Sequence, residues 1–185
     1  LQAASVVFIG PLIGSLIRPV GGSMADRFGG AKVSVWNFIG MALATGVVIM
    51  ASNEKSLALF MAGFIALFVL SGIGNGSTYK MIPSIFAVQA RMAIAAGEPE
   101  QSALMRARRL SGAVIGIAGS IGAMGGVLIN LAFRQSFLVT KSGVPAFWSF
   151  LIFYGACVVV TYVVYLRRAP AVVASGNPQL AYAQV

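Results

Sequence analysis

What most limits the fold of this chain is how long it runs without charge. Residues 4–24, 33–51, 57–89, 110–133 and 146–166 of the 185-residue sequence contain no charged side chain except Arg18 in the first stretch and Lys80 in the third. A helix rising 1.5 Å per residue needs about 20 apolar residues to cross a hydrocarbon core of about 30 Å. Each stretch meets that length, and none shows the short apolar–polar alternation of a membrane barrel strand. The rest of the chain agrees: 9% of residues are charged, against about 25% in a soluble domain. The sequence therefore predicts an all-α, polytopic membrane protein with five transmembrane helices. The third stretch is overlong and carries Gly72, Gly74, Gly76 and Pro83, so a bent or locally loosened helix is expected there.

Composition also limits chemistry. With no histidine, one cysteine (Cys157) and four acids, the chain has no thiolate–imidazole metal set and no nucleophile–base pair. No enzyme, metal site or cofactor is expected. The net charge of +9 would suit nucleic acid in a polar chain. Here the distribution of the basic residues gives a simpler account.

The stretches are joined by connections expected at residues 25–32, 52–56, 90–109 and 134–145. The first and third connections and the tail hold Arg27, Lys32, Arg91, Arg106, Arg108, Arg109, Arg167 and Arg168. The second and fourth hold only Lys55, Arg134 and Lys141. Basic residues concentrate on the cytoplasmic side, so the first group is assigned to the cytoplasm. The lipid bilayer, not nucleic acid, is then the partner of these charges. This topology starts outside and ends inside, and leads to the expectation of a preceding N-terminal part. Residues 169–185, with Pro170, Gly176 and Pro178, are expected to be a disordered cytoplasmic tail.

Arg18 and Lys80 remain. Arg18 lies eight residues before Asp26, about 12 Å along a helix from the membrane edge. A charge near mid-bilayer costs at least ~2.5 kcal/mol and normally faces a protein interior or wet cavity. All four acids (Asp26, Glu54, Glu98, Glu100) are assigned to connections, which leaves Arg18 without an obvious partner. Two readings follow: a structural arginine tied to backbone carbonyls, or a guanidinium that grips an anionic substrate bidentately. Lys80 has two readings as well. It reaches the cytoplasmic face, or it joins Asn75 and Ser77 along a pathway opened by the glycines. No Asp, Glu or His is assigned to membrane depth, which favours exchange of like-charged anions over a proton relay.

The fourth stretch carries Gly112, Gly116, Gly119, Gly122 and Gly126 at spacings of 4, 3, 3 and 4, along one helical face. Such a stripe permits close helix packing, or forms a smooth wall beside a substrate path.

Gly22-Ser23-Met24-Ala25-Asp26-Arg27-Phe28-Gly29-Gly30-Ala31-Lys32 resembles the cytoplasmic loop motif of the major facilitator superfamily, matching at Gly22, Asp26, Arg27, Gly29 and Lys32. Gly30 and Ala31 stand where that motif usually has basic residues. Gly10–Gly14, Arg18–Gly22, Gly72–Phe86, Gly116–Leu128 and Phe153–Cys157 together resemble the nitrate/nitrite porter family (NarK type), over nearly the whole chain. The resemblance implies that residues 1–168 form helices eight to twelve of a twelve-helix porter, its C-terminal half. It implies that Arg18 is one of two arginines that clamp the anion, the other lying in the N-terminal half. Gly116, Gly119, Ser120, Gly122 and Gly126 would line the path. The Asp26–Arg27 segment would latch helix ends at the cytoplasmic side. The implied partners are nitrate and nitrite anions, the bilayer and the missing N-terminal half. The implied activity is nitrate/nitrite exchange across the bacterial cytoplasmic membrane by alternating access. Proton-coupled nitrate symport, a carrier for another small anion and a channel-like pore remain as competing expectations.

Overall fold

The structure is a computed structural model that describes residues 8–167. The tail at 169–185 and the first residues of the opening apolar stretch lie outside the described residues. Among the described residues six α-helices follow one another: α1 (Ile9–Leu16), α2 (Arg18–Phe28), α3 (Gly30–Asn53), α4 (Leu57–Ala95), α5 (Glu100–Thr140) and α6 (Val144–Thr161), the last running on through a π-helical turn at Tyr162–Arg167. There is no strand among the described residues. Among the described residues, four helical segments (α3, α4, α5 and Val144–Leu166) are long and apolar enough to cross a membrane, and α1 with α2 covers the described part of the first apolar stretch. The molecule is a polytopic helical membrane protein.

The irregularity expected in the third stretch is found in the first. The α1–α2 rod breaks at Ile17, immediately before Arg18 and Pro19. Proline has no N–H to return to the carbonyl four residues back, so the ladder stops there. The Ile17 carbonyl accepts from both Val20 N–H (3.0 Å) and Gly21 N–H (3.3 Å). By contrast, α4 is helical without interruption through Gly72–Gly76 and past Pro83. Its glycines are used for contact. A Cβ on Gly72 would strike the Gly14 carbonyl, and one on Gly76 would strike the Arg18 carbonyl. Gly21 in turn lies against the backbone of Ile73. Close backbone approach of this kind is what small residues permit between membrane helices.

The connections are shorter than expected. The first is Gly29 alone, at φ 86° and ψ 132°, a left-handed conformation that suits glycine. The third shrinks from residues 90–109 to four residues, 96–99, because α4 runs on to Ala95 and α5 starts at Glu100. The fourth shrinks to residues 141–143, closed by Ser136 Oγ donating to the Ser142 carbonyl at 2.6 Å. Hydropathy marks where the apolar run stops. A helix continues beyond that point wherever its residues favour it, as 90–95 and 100–109 do. At about 1.5 Å per residue, the 41 residues of α5 extend about twice the thickness of a hydrocarbon core. Asp26 is thereby placed in the last turn of α2, not in a loop.

α4 is the central element, packing on α1, α2, α3 and α5, while α3 also packs on α6. Towards the far end of α3 from Gly29, Val48, Ile49 and Phe147 form the buried core, surrounded by Phe60, Phe64, Phe133 and Phe150. Phe133 meets Phe147 edge-on at 5.3 Å between ring centres.

Candidate functional site: a cationic cleft between α2 and α4

Arg18, Gly22 and Asp26 recur at four-residue intervals, so α2 presents them on one face. On α4, the pairs Asn75–Tyr79 and Gly76–Lys80 do the same. The contact of Gly76 with the Arg18 backbone brings the two faces together around an open cleft of about 760 Å³. Arg18 and Asp26 line it from one side, and Asn75, Tyr79 and Lys80 from the other. Ser15 and Ser23 complete the wall on the α1–α2 side.

Lys80 Nζ lies 3.4 Å from Asp26 Oδ2, with both side chains about half exposed. Lys80 is thus paired across the cleft rather than merely reaching for the surface. An exposed pair of this kind contributes about 0–1 kcal/mol. Arg18 is in neither of the two ion pairs formed by described residues, Lys80–Asp26 and Arg106–Glu98. The cleft then holds two cations and one carboxylate, a net of one positive charge. Asn75 and Tyr79 add polar side chains to its lining. A guanidinium with five donors, an ammonium, an amide and a hydroxyl can surround a small oxyanion with hydrogen bonds. Among the described residues, no three carboxylate, thiol or imidazole groups converge as metal ligands would.

The residues singled out in the sequence are distributed as follows. Arg18, Gly22, Asp26, Asn75 and Lys80 meet in the cleft. Ser77 does not: it is fully buried and donates to the Gly30 carbonyl at 3.4 Å, joining α4 to the Gly29 turn. It is thus placed against the Gly29 turn and not among the residues that line this cleft. Arg27 and Lys32 line a separate groove with Trp36. On α5, a Cβ added at Gly112, Gly116, Gly122 or Gly126 would meet nothing within 4 Å. Among the described residues, then, the stripe makes no tight helix packing. Gly119 is the exception, its Cβ position lying 3.5 Å from the Tyr79 hydroxyl. The Ser120 hydroxyl donates to the Gly116 carbonyl at 2.9 Å, within its own helix. None of the five path residues on α5 lines the Arg18 cleft.

Tyr79 was not among the expected site residues. It lines the cleft, and its hydroxyl lies 3.5 Å from the Cβ position of Gly119 in the α5 stripe. Its four-residue spacing from Asn75 is the signal that locates it.

Long apolar helices beside an open cationic cleft define a polytopic membrane protein with a positively charged, partly exposed cleft on α2 and α4. No family model matches the chain, but individual proteins do. It is 41% identical over 170 residues to the nitrate/nitrite transporter NarU of Salmonella typhimurium, an alignment covering 89% of this chain and 37% of that protein. It is 39% identical over 168 residues to NarU of Escherichia coli, covering 88% and 36%. To the probable nitrate/nitrite antiporter NarK2 of Thermus thermophilus it is 29% identical over 164 residues, covering 87% and 32%. Along the segment it shares with them, the chain is similar to these nitrate/nitrite transporters. It spans little more than a third of the length of the NarU proteins.

Proposed function

We propose that this chain carries the Arg18 half of the anion site in a secondary transporter that moves nitrate and nitrite across the bacterial cytoplasmic membrane by alternating access. The observation that carries the reading is an arginine at a proline-broken helix, outside any ion pair of the described residues, in a cleft with Asn75, Tyr79 and Lys80. Relatives named as nitrate/nitrite transporters and a probable antiporter support it. Nitrate and nitrite are planar monovalent anions whose edge fits the guanidinium fork. In this reading residues 1–168 are helices eight to twelve, and a second arginine faces Arg18 from the N-terminal half. The open glycine face at Gly116, Gly119, Gly122 and Gly126 borders the path. The basic connections lie in the cytoplasm with the C-terminus.

Arg18 and the second arginine, facing each other with no anion between them, make the empty site costly to reorient, which favours exchange over net uptake. The test uses the full-length protein in proteoliposomes at symmetric pH, following labelled nitrate uptake with and without nitrite inside. Uptake that depends on internal nitrite is expected. Uptake indifferent to nitrite but driven by an imposed proton gradient would overturn exchange in favour of symport. Arg18→Lys keeps the charge and loses the fork. Charged hydrogen bonds of about 1.5–3 kcal/mol are then lost, and nitrate affinity is expected to fall about 10- to 100-fold. Near-normal affinity in that variant would remove Arg18 from the site.

A further inference from the structure

On the side of α2 away from the Arg18 cleft, a second groove of about 510 Å³ opens between α2, α3 and α4. Its walls follow from helical spacing. Arg27 and Phe28 come from the last turn of α2, and Lys32 and Trp36, four residues apart, share one face of α3. The single-residue turn at Gly29 sets these two faces side by side. Leu70 and Ile73 of α4, three residues apart, line the groove between them. No acid lines this groove, because Asp26 is directed to the opposite side of α2, where it pairs with Lys80.

Three features identify the occupant. Arg27 and Lys32 sit at the helix ends flanking Gly29, the level at which a phospholipid headgroup lies, and no described acid neutralises either of them. Phe28 is 62% exposed and Trp36 73% exposed. Trp36 is about 9 Å along α3 from the turn, the depth at which tryptophan collects at a membrane interface. Val33 lies between Lys32 and Trp36 along α3, and deeper than Trp36 the groove is lined by Leu70 and Ile73 of α4, with Asn37 beside them. Polarity thus runs from cationic through aromatic to aliphatic, the order in which a lipid runs from headgroup through interface to chain. A free phosphate would use only the first of these zones.

We propose that this groove is a binding site for one anionic phospholipid of the surrounding bilayer. The phosphodiester sits between Arg27 and Lys32, the Trp36 ring covers the interfacial region, and one acyl chain runs along Leu70 and Ile73. Basic pockets between membrane helices bind anionic headgroups in this way.

The experiment is native mass spectrometry of the full-length protein, purified in mild detergent and offered phosphatidylglycerol or phosphatidylcholine. Thermal melting is measured on the same samples. One phosphatidylglycerol should be retained in preference to phosphatidylcholine, with a higher melting temperature. A basic residue near an anionic membrane surface is worth about 1 kcal/mol. Retention should therefore weaken about fivefold in Lys32→Gln and about 30-fold in Arg27→Gln/Lys32→Gln. The control Arg108→Gln/Arg109→Gln removes equal charge from α5 and should retain the lipid. Equal losses in the control would overturn the site in favour of diffuse surface attraction. Equal stabilisation by inorganic phosphate would overturn it in favour of a free anion. If the double variant does not fold, Lys32→Gln is compared with the single control Arg108→Gln, and the two lipids are still compared on the unaltered protein. Absence of any preference there would overturn the proposal and leave the groove to another part of the protein.

Discussion

Two helices of this protein carry glycine clusters and use them in opposite ways. In α4, Gly72, Gly74 and Gly76 are each pressed against a neighbour: the Gly14 carbonyl, the Asn37 amide and the Arg18 carbonyl. In α5, Gly112, Gly116, Gly122 and Gly126 face open space. Missing side chains in α4 let backbones touch, which positions Arg18 over the cleft. Those in α5 leave a smooth strip with no neighbour among the described residues, beside exposed Ile117, Ile121 and Met124. Within lipid there is no hydrophobic drive to bury such apolar faces, and association rests on close packing. The α4 cluster is therefore a packing device in this chain. The α5 strip is left available to a substrate path or to another part of the full-length protein.

The sharpest way to break this comparison is to add volume to α4. In Gly76→Leu the new Cβ would overlap the Arg18 carbonyl, and backbone cannot rotate away as a flexible side chain would. Overpacking costs about 1–3 kcal/mol even where side chains yield, so here the cost should be at the upper end or beyond. Size-exclusion chromatography in detergent should give little monodisperse protein, or protein melting well below the unaltered chain. Normal folding would mean that α2 and α4 do not touch at Gly76, and the cleft geometry would fall with that contact.

A smaller change separates the cleft from its scaffold. Ser77 is fully buried, and its hydroxyl donates to the Gly30 carbonyl, which also accepts from Ser34 Oγ at 2.8 Å. Ser77→Ala leaves that acceptor satisfied, so the loss should be about 1 kcal/mol of stability with nitrate affinity unchanged. A drop in affinity without a change in melting temperature would place Ser77 on the pathway.

How much of this was legible in the sequence depended on the kind of signal. A charge at membrane depth is rare enough that Arg18 stood out alone, and Asn75 and Lys80 followed from their place beside the glycines. The helical class was fixed by run length. The Asp26–Lys80 pair was not legible, because a hydropathy boundary placed Asp26 in a loop when α2 in fact carries it for one more turn. Tyr79 was passed over because an aromatic residue in an apolar helix looks like any packing residue until its neighbour is known. The break in the first stretch was missed for a related reason. Four helix-breaking residues in α4 outweighed the one proline at Pro19, yet α4 gains close contacts at its glycines and carries Pro83 without ending, while the helix before Pro19 stops at Ile17. The glycine clusters were the least decidable feature, since spacing reports a smooth face and says nothing of what lies against it.

The smallest expected effect completes the comparison. Gly122→Ala adds a Cβ on α5 where nothing lies within 4 Å. Stability should change by no more than about 0.5 kcal/mol, as for other substitutions that meet no neighbour. Thermal melting in detergent measures this, and nitrate exchange by the full-length protein supplies the second reading. Unchanged melting with slowed exchange would mean that the α5 strip borders a moving surface or the path itself, as its contrast with α4 requires. If melting falls as it does for a substitution at Gly76, the strip is a packing seam after all. Both glycine clusters would then serve the same purpose, one within the described helices and the other against a neighbour beyond them.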